Sequence, residues 1–351
     1  MEFANMRPNR ILAGVAALAA ALALAACGGG SSDSDEPAAV SSGAAAAAFP
    51  VTIKHALGTT TIEKKPERVA TVQWANQEVP LALGITPVGM AAANFGDDNG
   101  DGVLPWVTDK LKELGSPTPV LFDENDGIDF EGVANTKPDV ILAAYSGLTQ
   151  EDYDKLSKIA PTVAFPTAAW ATAWRDTIKL ESQALGLSAE GDKLIADLEA
   201  QMKADVAAYP GLAGKSVMFV THIDPADLSK ISYYTTKDTR VQFFTDLGLK
   251  QPASVEKASA ASELFALDTS AEQIETFNDV DIIVTYGDAK LVSALQANPL
   301  LAKMPAIKNG AVVALDGSGP AGTAANPTPL AIPYVTKDYV KQLADAAAKV
   351  K

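Results

Sequence analysis

Few side chains in this sequence are suited to acid–base, nucleophilic or metal chemistry. The chain holds one cysteine, Cys27, and two histidines, His55 and His222. A site that grips a bare transition metal needs several His, Asp or Glu ligands converging, so direct metal binding is not expected. With Cys27 near the start, the rest of the chain has no disulfide, thiolate zinc site or cysteine nucleophile. No Gly-x-Ser-x-Gly elbow, P-loop or Gly-x-Gly-x-x-Gly after a strand is expected, and the scarcity of histidine starves general acid–base schemes. The run Asp97-Asp98-Asn99-Gly100-Asp101-Gly102 places oxygens at alternate positions like a calcium loop. Its twelfth position is Thr108 rather than a bidentate glutamate, so it reads as an acidic turn near a cleft mouth. Binding, not catalysis, is the expectation.

The elements that must position a binding site follow from periodicity. From Phe49 onward, short β-rich runs alternate with helical patterns, the signature of α/β sheets with helices on their faces. Arg68–Val72, Pro87–Met90, Asp139–Ala144 and Thr162–Phe165 read as strands, with helical spacing over Asn76–Leu83 and Gln150–Ile159. The scheme recurs with strands at Ser216–Thr221, Asp281–Thr285 and Ala311–Leu315 and helices at Thr239–Leu247 and Ala289–Ala297. Between the two sets, Leu194, Ile195, Leu198, Met202 and Val206 recur at helical spacing until Pro210-Gly211. The fold class expected is α/β, two Rossmann-like lobes (50–187 and 211–351) joined by one long helix (188–210), with the ligand cleft between them.

Loops at strand ends supply the cleft walls. In the first lobe these are Trp74, Asn76, Asn94, Phe95, Trp106, Tyr145 and Ser146; in the second, His222, Tyr233, Tyr234, Arg240 and Tyr286. Any one aromatic can equally pack beneath its loop. Tyr145 and Tyr286 carry the stronger signal, each following an apolar strand directly and preceding Gly or Ser-Gly. Arg240 fits two readings, a bidentate grip on an anionic ligand or a local pair with Asp238. His222 is a hydrogen-bond donor or a structural strand end, and Trp170 and Trp174 are expected to staple a helix to the first lobe.

The start of the chain sets the compartment. Arg7 and Arg10 precede an apolar run from Ile11 to Ala26, the layout of a secretory signal too short to span a bilayer. Its ending, Leu24-Ala25-Ala26-Cys27, resembles the lipobox of bacterial lipoproteins, whose cysteine takes a diacylglycerol and becomes the new N-terminus. Residues 1–26 therefore read as a signal peptide, Cys27 as the lipidated anchor to the cell membrane, and the Gly-, Ser- and Ala-rich residues 27–49 as a flexible tether. Met1 and Met6 both fit as the start. The net charge of −15, from 43 acidic against 28 basic residues, argues against a nucleic-acid partner.

Lys65-Pro66-Glu67-Arg68-Val69-Ala70, followed by Leu81-Ala82-Leu83-Gly84-Ile85-Thr86-Pro87-Val88-Gly89, resembles the opening of the iron-siderophore and vitamin B12 class of ABC-transporter substrate-binding proteins. Lys137-Pro138-Asp139-Val140-Ile141, Leu156 to Val163, Asp246-Leu247-Gly248, Ser270-Ala271-Glu272 and Pro327 to Tyr334 continue the match in order. The resemblance implies a monomer that captures a ligand outside the cytoplasm and delivers it to a permease dimer driven by its ATPase. It also implies that Glu131 and Glu272, one per lobe, dock on permease arginines; helix-start carboxylates favoured by the helix dipole are the plainer reading. The ligand implied is a ferric siderophore, with haem or cobalamin, or a structural role in the envelope, as alternatives. Ferric ion enters only inside its chelate, and no other cofactor is expected. Scarce basic residues around the cleft, Arg240 and Lys237, favour a neutral hydroxamate or mixed-type chelate over an anionic tris-catecholate.

Overall fold

A computed structural model describes residues 49–351; the expected signal peptide, Cys27 and nearly all of the expected tether lie outside the described residues. The fold begins with an antiparallel hairpin, β1 (Val51–His55) and β2 (Gly58–Ile62). Ile53, His55, Thr60 and Ile62 alternate inward, as a half-buried strand pair requires. His55 is structural: its Nε2 lies 3.0 Å from Thr60 Oγ1, and its ring meets Tyr153 edge-on at 4.9 Å. Thr60 Oγ1 in turn donates to Thr162 O at 2.5 Å, pinning the hairpin to the first sheet.

That sheet contains β3 (Val69–Thr71), β4 (Gly89–Ala91), β5 (Val120–Phe122), β6 (Val140–Ala143) and β7 (Thr162–Ala164), all parallel, in the order β5-β4-β3-β6-β7. The strands β3, β6 and β7 are buried throughout, because helices cover both faces of a parallel sheet. The second sheet contains β8 (Val217–Val220), β9 (Lys230–Tyr234), β10 (Ala266–Ser270), β11 (Ile282–Tyr286) and β12 (Val312–Leu315), in the order β10-β9-β8-β11-β12. Here β9 runs antiparallel to both neighbours. The expected α/β architecture is present, and the two sheets share one strand order. Each therefore has a topological switch point, between β3 and β6 and between β8 and β11, where strand-end loops diverge and leave a crevice.

In the chain, the helices Trp174–Ala184 and Ser188–Ala207 lie between the sheets. Ile195, Leu198 and Met202 of the longer helix are buried, and it packs on Trp174–Ala184 and on the final helix, Ala331–Ala347. One continuous core joins Met90, Trp106 and Val107 to Phe219, Phe244 and Tyr339. The chain end also returns to the first lobe: Leu330 N donates to Glu78 at 2.8 Å, and the Tyr334 and Trp106 rings lie 5.1 Å apart. Residues from the last expected lobe thus pack on the first as well.

Candidate functional site

The first switch point is braced by Asn76. Its Nδ2 donates to Val72 O (2.7 Å) and Tyr145 O (3.0 Å), and its Oδ1 accepts from Tyr145 N (2.9 Å). Asn76 is fully buried and acts as a clamp between the loops after β3 and β6. Beside it, Gln73 and Ala75 hold φ of 63° and 62°, a left-handed backbone that non-glycine residues adopt only under constraint. The constraint on Gln73 is visible: its N–H donates to Glu124 Oε2 (2.9 Å), and its Oε1 accepts from Gly147 N (3.0 Å). Burial pushes the Glu124 carboxyl up to about 7, outweighing the Gln73 hydrogen bond, with Asp129 adding a smaller push upward.

A cavity of about 760 Å³ opens between the lobes. Six residues read from the sequence as walls line it: Trp74, Asn94, Phe95, Tyr145, Arg240 and Tyr286. Trp170, expected to staple a helix, lines it too and is exposed. Its φ is 59°, its N–H donates to Ser146 O at 2.9 Å, and its ring meets Tyr145 edge-on at 5.6 Å. A Cβ at Gly147 would stand 2.3 Å from Trp170 Nε1, so the indole lies there because residue 147 has no side chain. Leu264 and Phe265, exposed on the opposite rim, were not legible as walls in the sequence.

The remaining residues read as walls lie elsewhere, for identifiable reasons. Tyr233 and Tyr234 are successive residues of β9, so their side chains leave opposite faces. Tyr233 packs on Phe277 at 5.0 Å. Tyr234 lies under the Arg240 guanidinium, 3.7 Å from ring centroid to Cζ, and burial pushes its hydroxyl up to about 12 against the pull of Arg240. Ser146 is buried, donating to Ala143 O at 2.7 Å. Trp106 is buried in the core, its Nε1 donating to Glu78 Oε1 at 2.7 Å. His222 stacks on Tyr286 at 4.4 Å, backing the ring that faces the cavity. Trp174 is buried and donates from Nε1 to Asp246 Oδ2 at 2.8 Å, so it also ties its helix, which packs on the first lobe, to the second.

Arg240 resolves towards the local pair. Nε and Nη2 donate to the two Asp238 oxygens at 2.8 and 2.7 Å, and Nη1 reaches Tyr286 O–H at 3.3 Å. Burial opposes its charge, but the Asp238 carboxylate prevails and raises its pKa. Of five guanidinium N–H groups, those three contacts leave two for a ligand. Lys237, also on the wall, donates from Nζ to Glu263 Oε2 at 2.5 Å and Ser262 O at 2.8 Å.

Glu131 and Glu272 are both exposed and hold matching positions. Each is the second residue of a short helix, Phe130–Asn135 capped by Asp129 and Ala271–Phe277 capped by Ser270, and each helix lies between the third and fourth strands of its sheet. The acidic turn Asp97–Gly102 commits Asp97 to its own backbone, accepting from Asn99, Gly100 and Gly102 N–H at 3.0, 3.0 and 2.7 Å. The expectation that no Gly-x-Gly-x-x-Gly follows a strand is corrected: Gly317-Ser318-Gly319-Pro320-Ala321-Gly322 follows β12 with that spacing. A Cβ at Gly322 would stand 2.1 Å from Asp316 O, and Asp316 Oδ1 accepts from Ser318 N at 3.1 Å, so an acidic residue fills the loop. Among the described residues no group of three or more His, Cys, Asp or Glu converges as a metal site, and no helix is long and apolar enough to cross a membrane.

Two doubly wound lobes sharing a core, with an aromatic cavity between their switch points, define a solute-binding protein. The chain belongs to the Periplasmic binding protein family, whose pattern matches residues 69–318, and such proteins are binders for transport rather than enzymes. Among solved structures it is similar to Streptococcus pneumoniae TIGR4 PiaA in complex with ferrichrome, at 47% identity and a TM-score of 0.81, over 86% of this chain and 100% of that one. The probable siderophore-binding lipoprotein YfiY of Bacillus subtilis is 28% identical, over 67% of this chain and 68% of its own. The iron(3+)-hydroxamate-binding protein YxeB of the same organism is 26% identical, over 74% and 76%.

Proposed function

We propose that this protein captures a ferric hydroxamate siderophore outside the cytoplasm and delivers it to an ABC permease. The carrying observation is the cavity: about 760 Å³, walled by Trp74, Phe95, Tyr145, Trp170, Phe265 and Tyr286, with its two cations each paired to a carboxylate of the same wall. Aromatic faces and a few spare donors suit a rounded, uncharged chelate, and a cavity in this size range encloses most of such a ligand. The likeness to a ferrichrome complex and to a hydroxamate binder supports the same class. The described residues, 49–351, fall in one compact unit, so the body lacking residues 1–27 suits titration. Tryptophan fluorescence should quench saturably with a ferric trihydroxamate. Saturable quenching by haem, cobalamin or a ferric tris-catecholate with none from the trihydroxamate overturns the reading.

Glu131 and Glu272 are the proposed contacts to the permease dimer, supported by their exposure and matched placement, and Cys27 the proposed lipid anchor. The protein acts as a monomer in this scheme. Anchoring beside the permease raises the effective concentration of the loaded binder. Cys27→Ala should release the protein into the medium and reduce uptake while the dissociation constant stays the same; retention at the membrane would remove the anchor from the scheme.

A further inference from the structure

We infer that Glu263 sets the charge selectivity of the cavity, by occupying Lys237 so that anionic chelates meet no free cation there. The inference rests on the siderophore reading and adds which residue enforces the preference for an uncharged ligand. Two cations line the wall, and they are held differently. Arg240 is locked: Asp238 is buried, takes the guanidinium through both oxygens, and also caps the helix Thr239–Asp246 by accepting from Arg240 N at 2.9 Å. Releasing Arg240 would leave a buried carboxylate unpaired, which strongly opposes exchange with a ligand.

Lys237 is the adjustable one. Its Nζ is held by Glu263 Oε2 and by Ser262 O, and the Glu263 side chain is 99% exposed. Lys237 Nζ is the only side-chain partner the structure gives Glu263 among the described residues. An exposed pair of this kind is weak and screened by salt, so its effect is electrostatic complementarity rather than stability. With Glu263 charged, an anionic ligand at this rim faces a carboxylate beside the ammonium. With that charge removed, Ser262 O still tethers Lys237, and its ammonium faces the cavity alone.

The test compares the full chain with its Glu263→Gln, Lys237→Gln and double variants. Each is titrated with ferrichrome, a ferric trihydroxamate, and with ferric tris-catecholate, and the readout is the ratio of the two affinities. Glu263→Gln should shift the ratio towards the anionic chelate by about three- to tenfold at low salt, shrinking as salt rises. Lys237→Gln should shift it the other way, and the double variant should abolish the Glu263→Gln gain. An unchanged ratio in Glu263→Gln, or a gain that persists in the double variant, overturns the inference. Failure of the parent chain to bind ferrichrome at all would instead overturn the siderophore reading, so the two failures are distinguishable. Ferrichrome binding by the variants also reports that they are folded.

Discussion

Replacing Glu124 with glutamine should change how stability depends on pH, and the structure gives the size of the change. Burial raises this carboxyl from 4.5 to about 7, so the folded state holds its proton over a range where the unfolded state has lost it. The sign follows: the group favours folding most below pH 4.5, and its contribution is lost as pH rises to about 7, above which the loss is complete. At about 1.4 kcal/mol per pH unit, the full swing is at most about 3 kcal/mol. Glutamine keeps an acceptor for the Gln73 N–H and cannot ionise. Parent and variant should therefore be equally stable near pH 4.5 and diverge above it, the variant gaining up to about 3 kcal/mol by pH 8, or about 5 °C in Tm for roughly 300 folded residues. Glu78 and Glu181 are also pushed up by burial, so the parent alone does not isolate the effect; the difference between the two chains does. Melting curves at pH 4.5, 6 and 8 decide it. A Tm difference constant across that range, or a parent that gains on the variant as pH rises, refutes the reasoning.

Three further outcomes follow from the geometry. Trp170→Ala removes an aromatic wall and should weaken ferric trihydroxamate binding by roughly 10- to 100-fold, measured by titration; an unchanged affinity would take Trp170 out of the site. Glu78→Ala leaves Trp106 Nε1 and Leu330 N without their acceptor and should cost about 3 kcal/mol by urea denaturation, whereas Glu78→Gln should cost much less. Glu131→Lys with Glu272→Lys should abolish ferric siderophore uptake by cells while the purified protein binds its chelate as before; normal uptake would remove docking from the scheme.

The parts legible in the sequence were those with a strong local signal. Buried parallel strands such as Val140–Ala143 read as apolar runs, and Ser188–Ala207 read as a helix from five residues at helical spacing. The hairpin at Val51–Ile62 and the strands β9 and β10 carried weaker patterns: the hairpin strands bury two of five residues each and β10 one, and β9 follows a polar loop ending at Ser229. Missing β9 had a direct consequence, because without a strand there was no reason to send Tyr233 and Tyr234 to opposite faces. Tyr145 and Tyr286 were legible as cavity lining because a switch-point loop must begin where an apolar strand stops. Trp170 was misjudged because its place depends on Gly147, 23 residues earlier in the chain, and on a left-handed backbone that no local pattern announces. The rim residues Leu264 and Phe265 are apolar in a loop, which a sequence reading assigns to packing.

The way the lobes are joined constrains how a ligand enters. Several bonds cross between them on the side of the connecting helices. Asp246 accepts from Trp174 Nε1 and from Arg175 Nη1 at 2.8 and 2.7 Å, Glu78 holds Leu330 N, and Asn326 Nδ2 donates to Tyr145 O–H at 3.2 Å inside the cleft. At Gly96 a Cβ would stand 2.2 Å from Thr323 Oγ1, so the first-lobe loop rests directly on the second lobe. A wide hinge opening would break these contacts together and expose the shared core. Large separation of the lobes is therefore unfavourable, and access falls to the exposed parts of the rim, Trp170 on one side and Leu264–Phe265 on the other. Much of the wall is braced by contacts within the protein itself, Asn76 and Gly147 on one side and Asp238 on the other, so little ordering opposes binding. A permease that engages both lobes through Glu131 and Glu272 would then act against a rigid body, and release would come from loosening the rim rather than from swinging the lobes apart.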